Sequence, residues 1–493
     1  GDGRADQRKV LLSGFGNGDS HQTVNSLVWS PGGELWFCQG DGVESRVETP
    51  HGVSSLFQAG VFRFRPQQFQ LDGLLDDFMG PGNPWGVVFD DYGQSFVIDG
   101  AGGISYLTPA SIPAKRRLRL PRIGNPGGYC GVECLGARNL PDDLQGDHLL
   151  GDYKKNRVSR YKVLPDGAGY KVQWKPPLLT SKHRNFRPID VKTGPDGAIY
   201  IVDWYNPITC HQDDFYRHPG RDKTHGRIWR VAPMKGALKP PALAKAPLKK
   251  LLDALDAPER WTRLKAKQVL ASRKPSEVIP ALRKWADSEP RTFEAVNVLE
   301  WLDAPHAPLL KALQQASDPR HRAYAARVAG RWATRLPQAW DILHATAADP
   351  HPQVRMEAIL ACAQIPEPRS ILVAAIAAGH PRDRWVQYAF SQAMHHLKPI
   401  WVPAFRKGEL DFGSDGRGLA SVLAETGSRS LLDEVRGVLR NGDLPARAKR
   451  NLMKALAAAG DDGDLRLALE SKNPGAELLG ALAARPRPGF NPS

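Results

Sequence analysis

Several loops of this chain carry side chains that can move protons, hold carboxylates or bind cations. In "HQTVNSLVWSPGGELWFCQGD", residues 21–41, His21 stands ahead of an apolar strand, a Gly turn and a second strand closed by Asp41. An imidazole titrates near neutrality, so His21 is a candidate base. "GNPWG" contributes Asn83, "YKKNR" contributes Lys154 and Lys155, and "KHRNFRPID" contributes His183, Arg184, Arg187 and Asp190. Together they offer one base, one amide and several cations, a set suited to a ligand rich in carboxylates and carbonyls. Two further places have the residue types of metal sites. "NPITCHQDDFYRHPGRDKTHGRIWR" carries His211, Asp213 and His225, and imidazole with carboxylate suits zinc, copper or iron. The plainer alternative is a polar loop with Asp222 paired to Arg221 or Arg227. Near the start, Asp2, Gly3 and Asp6 match the back half of a D-x-D-G-x-x-D calcium loop, or else form a polar turn.

These residues need elements to position them. Residues 1–233 read as all-β. "VWSPGGELWFCQGD" at 28–41, "VFDDYGQSFVIDG" at 88–100 and "VKTGPDGAIYIVDW" at 191–204 repeat one unit: strand, Gly turn, strand ending at Asp. "LQGDHLLGDYKKNRVSRYKV" at 144–163 is a weaker copy. The turn glycines Gly33, Gly93, Gly146 and Gly197 lie 60, 53 and 51 residues apart. A period near fifty with several strands per unit marks β-propeller blades. Four blades are visible, and a six-bladed ring whose first two blades precede Gly1 is the expectation. A closed ring would gather the candidate residues, since they recur at similar places relative to their Gly turns.

The Pro- and Lys-rich stretch 234–247 reads as a linker. After it the apolar period becomes helical, as in "PLKKLLDALD" and "QVRMEAILACAQ". Pro258, Pro290, Pro319, Pro350 and Pro381 recur at spacings of 32, 29, 31 and 31, often behind Asp or Ser, as at helix starts. Residues 248–485 therefore read as an all-α, HEAT-like solenoid, and 486–493 as a tail.

Composition narrows the classes. At 493 residues two or three domains are expected. The net charge of +15 is uneven: 28 Lys and Arg against 25 Asp and Glu in 1–230 leave +3, and 39 against 27 in the rest leave +12. A basic second half favours acidic partners, and no nucleic-acid motif is present. No apolar run is long enough to span a membrane. The five cysteines, odd in number and widely spaced, are no disulfide framework. Cys130 and Cys134 form C-x-x-x-C, a spacing that could pair or share a metal, with buried free thiols the preferred reading, and no C-x-x-C-H haem motif occurs.

The propeller segments resemble the soluble quinoprotein glucose dehydrogenases and related sorbosone dehydrogenases. "HQTVNSLVWSPGGELWFCQGD" resembles the family segment opened by a histidine base. "NPWGVVFDDYGQSFVIDG" resembles its R-N-P-x-G segment, with Gly82 in place of the arginine. "GDYKKNRVSRYKV" and "RNFRPIDVKTGPDGAIYIVDW" resemble the segments that contact the quinone. The resemblance implies that His21 is the base, Asn83 lines the site, Lys154 contacts pyrroloquinoline quinone, and Arg184 or Arg187 holds its carboxylates. Calcium is the second implied cofactor. Over nearly the whole chain, "SRVETPHGV", "FRPIDVKTGPDGAIYIVDWYNPI" and "RDKTHGRIWRV" followed by helical repeats resemble planctomycete-type membrane-bound dehydrogenase-like proteins. These are exported, which implies a periplasmic location, and often carry a haem domain, which is lacking here. The implied function is quinone-dependent oxidation of a sugar or polyol, with a cytochrome as a possible acceptor. The alternative is a non-catalytic propeller–HEAT recognition or scaffold protein with a basic solenoid.

Overall fold

A computed structural model describes residues 5–76, 79–114, 116–209, 218–234, 236–413, 416–441 and 444–469. The first half holds antiparallel sheets. Strands β1 (Asn25–Trp29), β2 (Leu35–Gln39), β5 (Gly60–Arg65) and β6 (Gln70–Leu74) form one, in that order. β3 (Ser45–Thr49) and β4 (Gly52–Leu56) form a separate hairpin that the repeat pattern did not announce. β7 (Pro84–Phe89), β8 (Ser95–Asp99) and β9 (Gly103–Tyr106) form the next sheet. β10 (Tyr129–Cys134), β11 (His148–Asp152), β12 (Arg157–Asp166) and β13 (Gly169–Thr180) form another. β14 (Pro188–Thr193), β15 (Ile199–Asp203) and β16 (Arg227–Val231) complete the set.

The repeated turns have a repeated physical basis. Ser30 N–H donates to Glu34 O at 2.8 Å, Asp90 N–H to Gln94 O at 2.9 Å, and Gly194 N–H to Ala198 O at 2.9 Å. Inside each turn a glycine has positive φ: +87° at Gly33, +76° at Gly93 and +70° at Gly197, with Gly146 at +74° in the weaker copy. That region is strained for L side chains, which is why glycine recurs there. The first strands of consecutive sheets, β1, β7, β10 and β14, lie next to one another. Each carries a bulge near its start: between Asn25 and Val28, Pro84 and Gly86, Cys130 and Val132, and Pro188 and Asp190. Apolar side chains fill the sheet interfaces, with one core cluster around Phe37, Phe62 and Phe64 and another around Leu149, Val191 and Ile201.

Two compact units divide the chain: Gly1–Thr108, Arg117–Asp166 and Tyr170–Ala304 in one, Pro109–Arg116, Gly167–Gly169 and Pro305–Ser493 in the other. The first therefore includes helices α1 (Leu248–Asp253), α2 (Arg260–Ala271), α3 (Pro275–Trp285) and α4 (Glu289–Trp301) as well as the sheets. α4 is fastened to the first sheet: the Trp301 indole lies 4.9 Å from Trp29 and its N–H donates to Pro31 O at 2.9 Å.

The second unit is helical, with Ala307–Gln314 (α5), Pro319–Trp332 (α6), Ala339–Ala347 (α7), Pro352–Cys362 (α8), Ser370–Ala378 (α9) and Arg384–Arg406 (α10) in series, followed by helices through Leu469. The recurring prolines lie within a few residues of helix starts, and Pro319 opens α6 behind the N-cap Asp318. At several of these starts an arginine folds back on the turn. Arg322 donates to Ala316 O and Ser317 O at 3.0 and 2.9 Å, and Arg355 to Asp349 O and Pro350 O at 2.7 and 2.9 Å. Arg322 then reaches Asp349 of the following pair at 2.7 Å, and Arg327 pairs with Glu357. Successive pairs are thus tied by ions, and much of the basic excess of α6 is neutralised locally. Asp318 Oδ1 accepts the Arg320 N–H at 2.8 Å. Asp318→Ala should cost about 1 kcal/mol, read as an earlier urea transition of the helical signal; an unchanged midpoint would mean that the cap is not needed.

Candidate functional site

The start of each first strand is held in the same way. Gly40 N–H donates to Gln22 O at 2.8 Å, Gly100 N–H to Asn83 O at 2.7 Å, Tyr153 N–H to Gly128 O at 3.0 Å, and Trp204 N–H to Arg187 O at 2.9 Å. Gln22, Asn83, Gly128 and Arg187 therefore occupy one structural position in four sheets, and His21 directly precedes it. In three of the four sheets the acid closing the second strand is buried beside this position: Asp99 is 6% exposed, Asp152 0% and Asp203 1%, whereas Asp41 of the first is exposed. Asp203 accepts the N–H groups of Arg187 and Tyr205 at 2.8 and 2.9 Å, the Trp229 indole at 2.9 Å and the Arg227 guanidinium at 2.8 Å. In those three units the closing Asp is a buried cap for the adjoining loop.

At this rim the candidate residues have different employments. His21 Nδ1 lies 3.0 Å from Asp19 Oδ1, which also accepts the His21 backbone N–H at 2.9 Å. The Asn83 side-chain carbonyl accepts the Trp85 indole N–H. Lys154 is exposed, with its methylene stem lying over Gly128. Arg184 is exposed, and its carbonyl accepts Asn156 Nδ2 at 3.2 Å. Arg187, 7% exposed, is the departure from expectation. Its guanidinium donates to Asn206 O at 2.9 Å, Tyr153 O at 2.8 Å and Pro207 O at 3.3 Å. Burial pulls its pKa below the usual arginine range, and Asp203 opposes the shift. Arg187 is bound to three main-chain carbonyls of its own unit, where the resemblance implied a hold on quinone carboxylates. Asp190 pairs with Lys192 at 3.1 Å, and the His183 ring stacks on Tyr205 at 5.7 Å. Of the residues singled out for the quinone, Arg187 is spent on backbone carbonyls and the Asn83 side-chain carbonyl on Trp85.

Of the candidate metal ligands, His211, Asp213 and Asp2 lie outside the described residues. Asp6 is exposed. His225 Nδ1 is 2.8 Å from Asp222 Oδ2, and Asp222 also accepts the N–H groups of Thr224 and His225, both at 3.0 Å. Those bonds, the Thr224 N–H foremost, hold the Asp222 carboxyl down at about 2. This is a self-contained turn. Among the described residues no group of three or more His, Cys, Asp or Glu is placed to hold a metal ion. Cys38, Cys130, Cys134 and Cys362 are free thiols, each pushed up to about 12 by burial.

The other ends of the same first strands converge on a cavity of about 290 Å³ within the first unit. Its walls include Val28, Trp29, Val87, Val88 and Val132, and α2 and α4 close it with Arg260, Arg263, Lys267 and Glu294. Arg260 reaches Asp91 at 2.9 Å, and Arg263 pairs with Asp91 and, at 3.3 Å, with Glu294. Lys267 lies 2.6 Å from Glu294. Desolvation pushes the Asp91 carboxyl up, but Arg260, Arg263 and Lys267 outweigh it and hold it below the ordinary range. Burial raises Asp90 to about 6 against the N–H bonds of Gln94 and Tyr92. Burial also raises Glu133, despite Lys192 nearby. Arg260, Arg263, Lys267 and Lys192 balance Asp90, Asp91, Glu133 and Glu294, so the network fastens α2 and α4 to the strand ends. It was missed in the sequence, although Arg260, Arg263 and Lys267, three and four apart, mark one helix face.

His148, 1% exposed, opens β11 opposite cavity-lining Cys134, its ring 4.8 Å from Phe96. Burial, aided by the charge of Arg260, lowers it to about 3. The unfolded chain therefore takes up this proton first, near pH 6.5, and the stability held by neutral His148 is complete above that pH. It is lost as pH falls toward 3 at about 1.4 kcal/mol per pH unit. Asp90, raised, acts with the opposite sign between its unfolded value and 6. His148→Phe isolates the first term: relative to the parent, the variant should gain about 2 kcal/mol between pH 6.5 and 5, measured by urea denaturation. A difference that does not change with pH would contradict the assignment.

Residues 1–110 and 107–235 match a family model described as a domain of unknown function (DUF7133). Residues 305–395 match the model of HEAT repeats. No curated protein matches the chain. Among solved structures, an engineered protein is similar at 17% identity over 48% of this chain and 95% of its own, with a TM-score of 0.19. A putative oxidoreductase (glucose dehydrogenase) of Thermus thermophilus is similar at 14% identity over 45% of this chain and 99% of its own, also at 0.19. Likenesses at that score carry no argument about fold or activity. No helix among the described residues is long and apolar enough to cross a membrane.

Proposed function

We propose that the protein is a recognition module, a propeller-type β domain joined to HEAT-type helices, that binds through its surfaces and does not oxidise a substrate. The propeller reading is supported by the side-by-side first strands and by the hydrogen bond repeated at the start of each. The observation that carries the functional reading is the commitment of Arg187: its guanidinium serves the carbonyls of Tyr153, Asn206 and Pro207. That removes one of the two arginines, Arg184 and Arg187, that the resemblance offered to the quinone carboxylates.

One observation favours a second reading. Asp19 holds His21 through Nδ1, the way a carboxylate orients a general base. On that reading the protein is a sugar or polyol dehydrogenase, and Lys154 and Arg184 are the residues left to meet the quinone. The deciding assay supplies pyrroloquinoline quinone, calcium and an aldose panel and follows dye reduction. The recognition reading expects no sugar-dependent rate above the protein-free control. A rate that falls at least a hundredfold in His21→Ala would overturn it, base catalysis being worth about 10²–10⁴-fold.

A further inference from the structure

Two turns at the strand-start rim are clamped together by one residue. Asn156, at φ +54°, donates from Nδ2 to Arg184 O at 3.2 Å and to Phe186 O at 2.6 Å, and its own carbonyl accepts the Ser181 N–H at 2.9 Å. The clamp sets the turn after β11 beside the loop before β14. It thereby gathers Lys154, Lys155, Lys182 and Arg184, all exposed. Among the described residues no carboxylate oxygen lies within 4.0 Å of the side-chain nitrogens of these four, although Asp152 accepts the Lys155 backbone N–H at 3.3 Å. Their neighbours differ: Arg157 has Asp152 at 3.0 Å, Lys192 has Asp190 at 3.1 Å, and Arg227 has Asp203 at 2.8 Å. Four exposed cations on two turns braced against each other make a positive surface that suits an anionic ligand.

We infer that this four-cation rim is a docking surface for an anionic polysaccharide, a chain that presents carboxylate or sulfate groups among hydroxyls. The inference rests on the recognition reading and names its partner class. Charge complementarity is the first argument. The second is what the rim withholds. Two of the nearby aromatic rings are engaged: Arg157 lies 4.6 Å over Trp174, whose ring also meets Tyr161 at 5.1 Å, and Tyr205 lies between Arg227 at 4.0 Å and His183. That leaves fewer rings for the bases of single-stranded nucleic acid to stack on. Neither turn exposes a large apolar side chain that could enter a bilayer. What remains is a set of fixed cationic donors, which suits a charged, hydroxylated chain.

The test measures binding of the full chain to polygalacturonate and to dextran sulfate at several salt concentrations. Lys154→Glu, Lys155→Glu, Lys182→Glu and Arg184→Glu are combined in one variant. A gentler combination with Gln at all four positions serves if the first does not fold, and a control carries Lys249→Glu and Lys250→Glu on α1. The expected result is at least a tenfold weaker complex for the rim variant, a salt slope lower by roughly three to four, and binding by the control equal to the parent. If the control weakens as much as the rim variant, or if duplex DNA or phosphatidylglycerol vesicles bind the parent more tightly than either polysaccharide, the inference is overturned. Undiminished polysaccharide binding by the rim variant would overturn the rim alone and leave the recognition reading standing on another surface.

Discussion

Gly131→Ala should destabilise the β unit by roughly 2–5 kcal/mol, a large part of the stability of an ordinary domain. Gly131 lies in β10 at φ +69°, and a Cβ there would meet Asp190 Cα at 2.5 Å and Ile189 O at 2.9 Å. The obstruction is backbone of β14, which cannot turn aside as the end of a side chain can. Two other glycines make the same close approach possible. A Cβ on Gly151 would lie 2.5 Å from Pro188 O and 2.6 Å from Cys130 O, and one on Gly86 would lie 2.9 Å from both Ile98 and Val132. The first strands thus come together where side chains are absent, and the spacing of their ends, hence the cavity, follows from that. Gly52→Ala supplies the comparison. Gly52 has φ +105°, but a Cβ there would meet nothing within 4 Å, so only the backbone term of about 1–2 kcal/mol applies. Urea midpoints of the two variants and the parent separate the terms. Equal losses would mean that the strands do not approach as closely as described.

Arg187→Ala should cost roughly 2–4 kcal/mol, enough to lower the melting temperature by on the order of 5–10 °C. The substitution leaves the carbonyls of Tyr153, Asn206 and Pro207 without their donor, and Asn206 is itself only 2% exposed. Burying an acceptor without a partner is more costly than the bond was worth. Arg187→Lys should recover only a minor part, since one ammonium cannot span three carbonyls held by a planar fork. A residue kept for a ligand behaves differently: its removal leaves the fold alone and abolishes binding. A variant that melts within 1–2 °C of the parent would return Arg187 to the list of ligand contacts.

Much of the fold was legible because turns and helix starts tolerate few residues. Gly33, Gly93, Gly146 and Gly197 mark positive-φ turns, and Pro258, Pro290, Pro319, Pro350 and Pro381 mark the neighbourhood of helix starts. The hairpin of β3 and β4 was not, since "SRVETPHGVSSL" falls outside the repeating unit. The sites were harder to read, because residue type does not reveal what a long side chain will bond. Arg187 and Arg184 are three residues apart, yet one is buried on carbonyls and the other exposed. Arg260, Arg263 and Lys267 have the composition of a solvated helix face, and their partial or full burial goes with acids from a distant turn and strand, Asp91 and Glu133, and with Glu294 from another helix. Repetition disclosed that the loops are equivalent; it could not disclose which contacts their side chains make.

The central claim is that this rim recognises and does not hold a redox cofactor. Its most direct test is calorimetric titration of the full chain with pyrroloquinoline quinone in the presence of calcium, repeated with Arg184→Gln and Lys154→Gln. The expected result is no saturable heat beyond the weak, salt-sensitive association of a small anion with exposed cations, and no visible chromophore retained on desalting. A one-to-one complex that survives desalting, is lost in either variant and supports sugar-dependent dye reduction would contradict it.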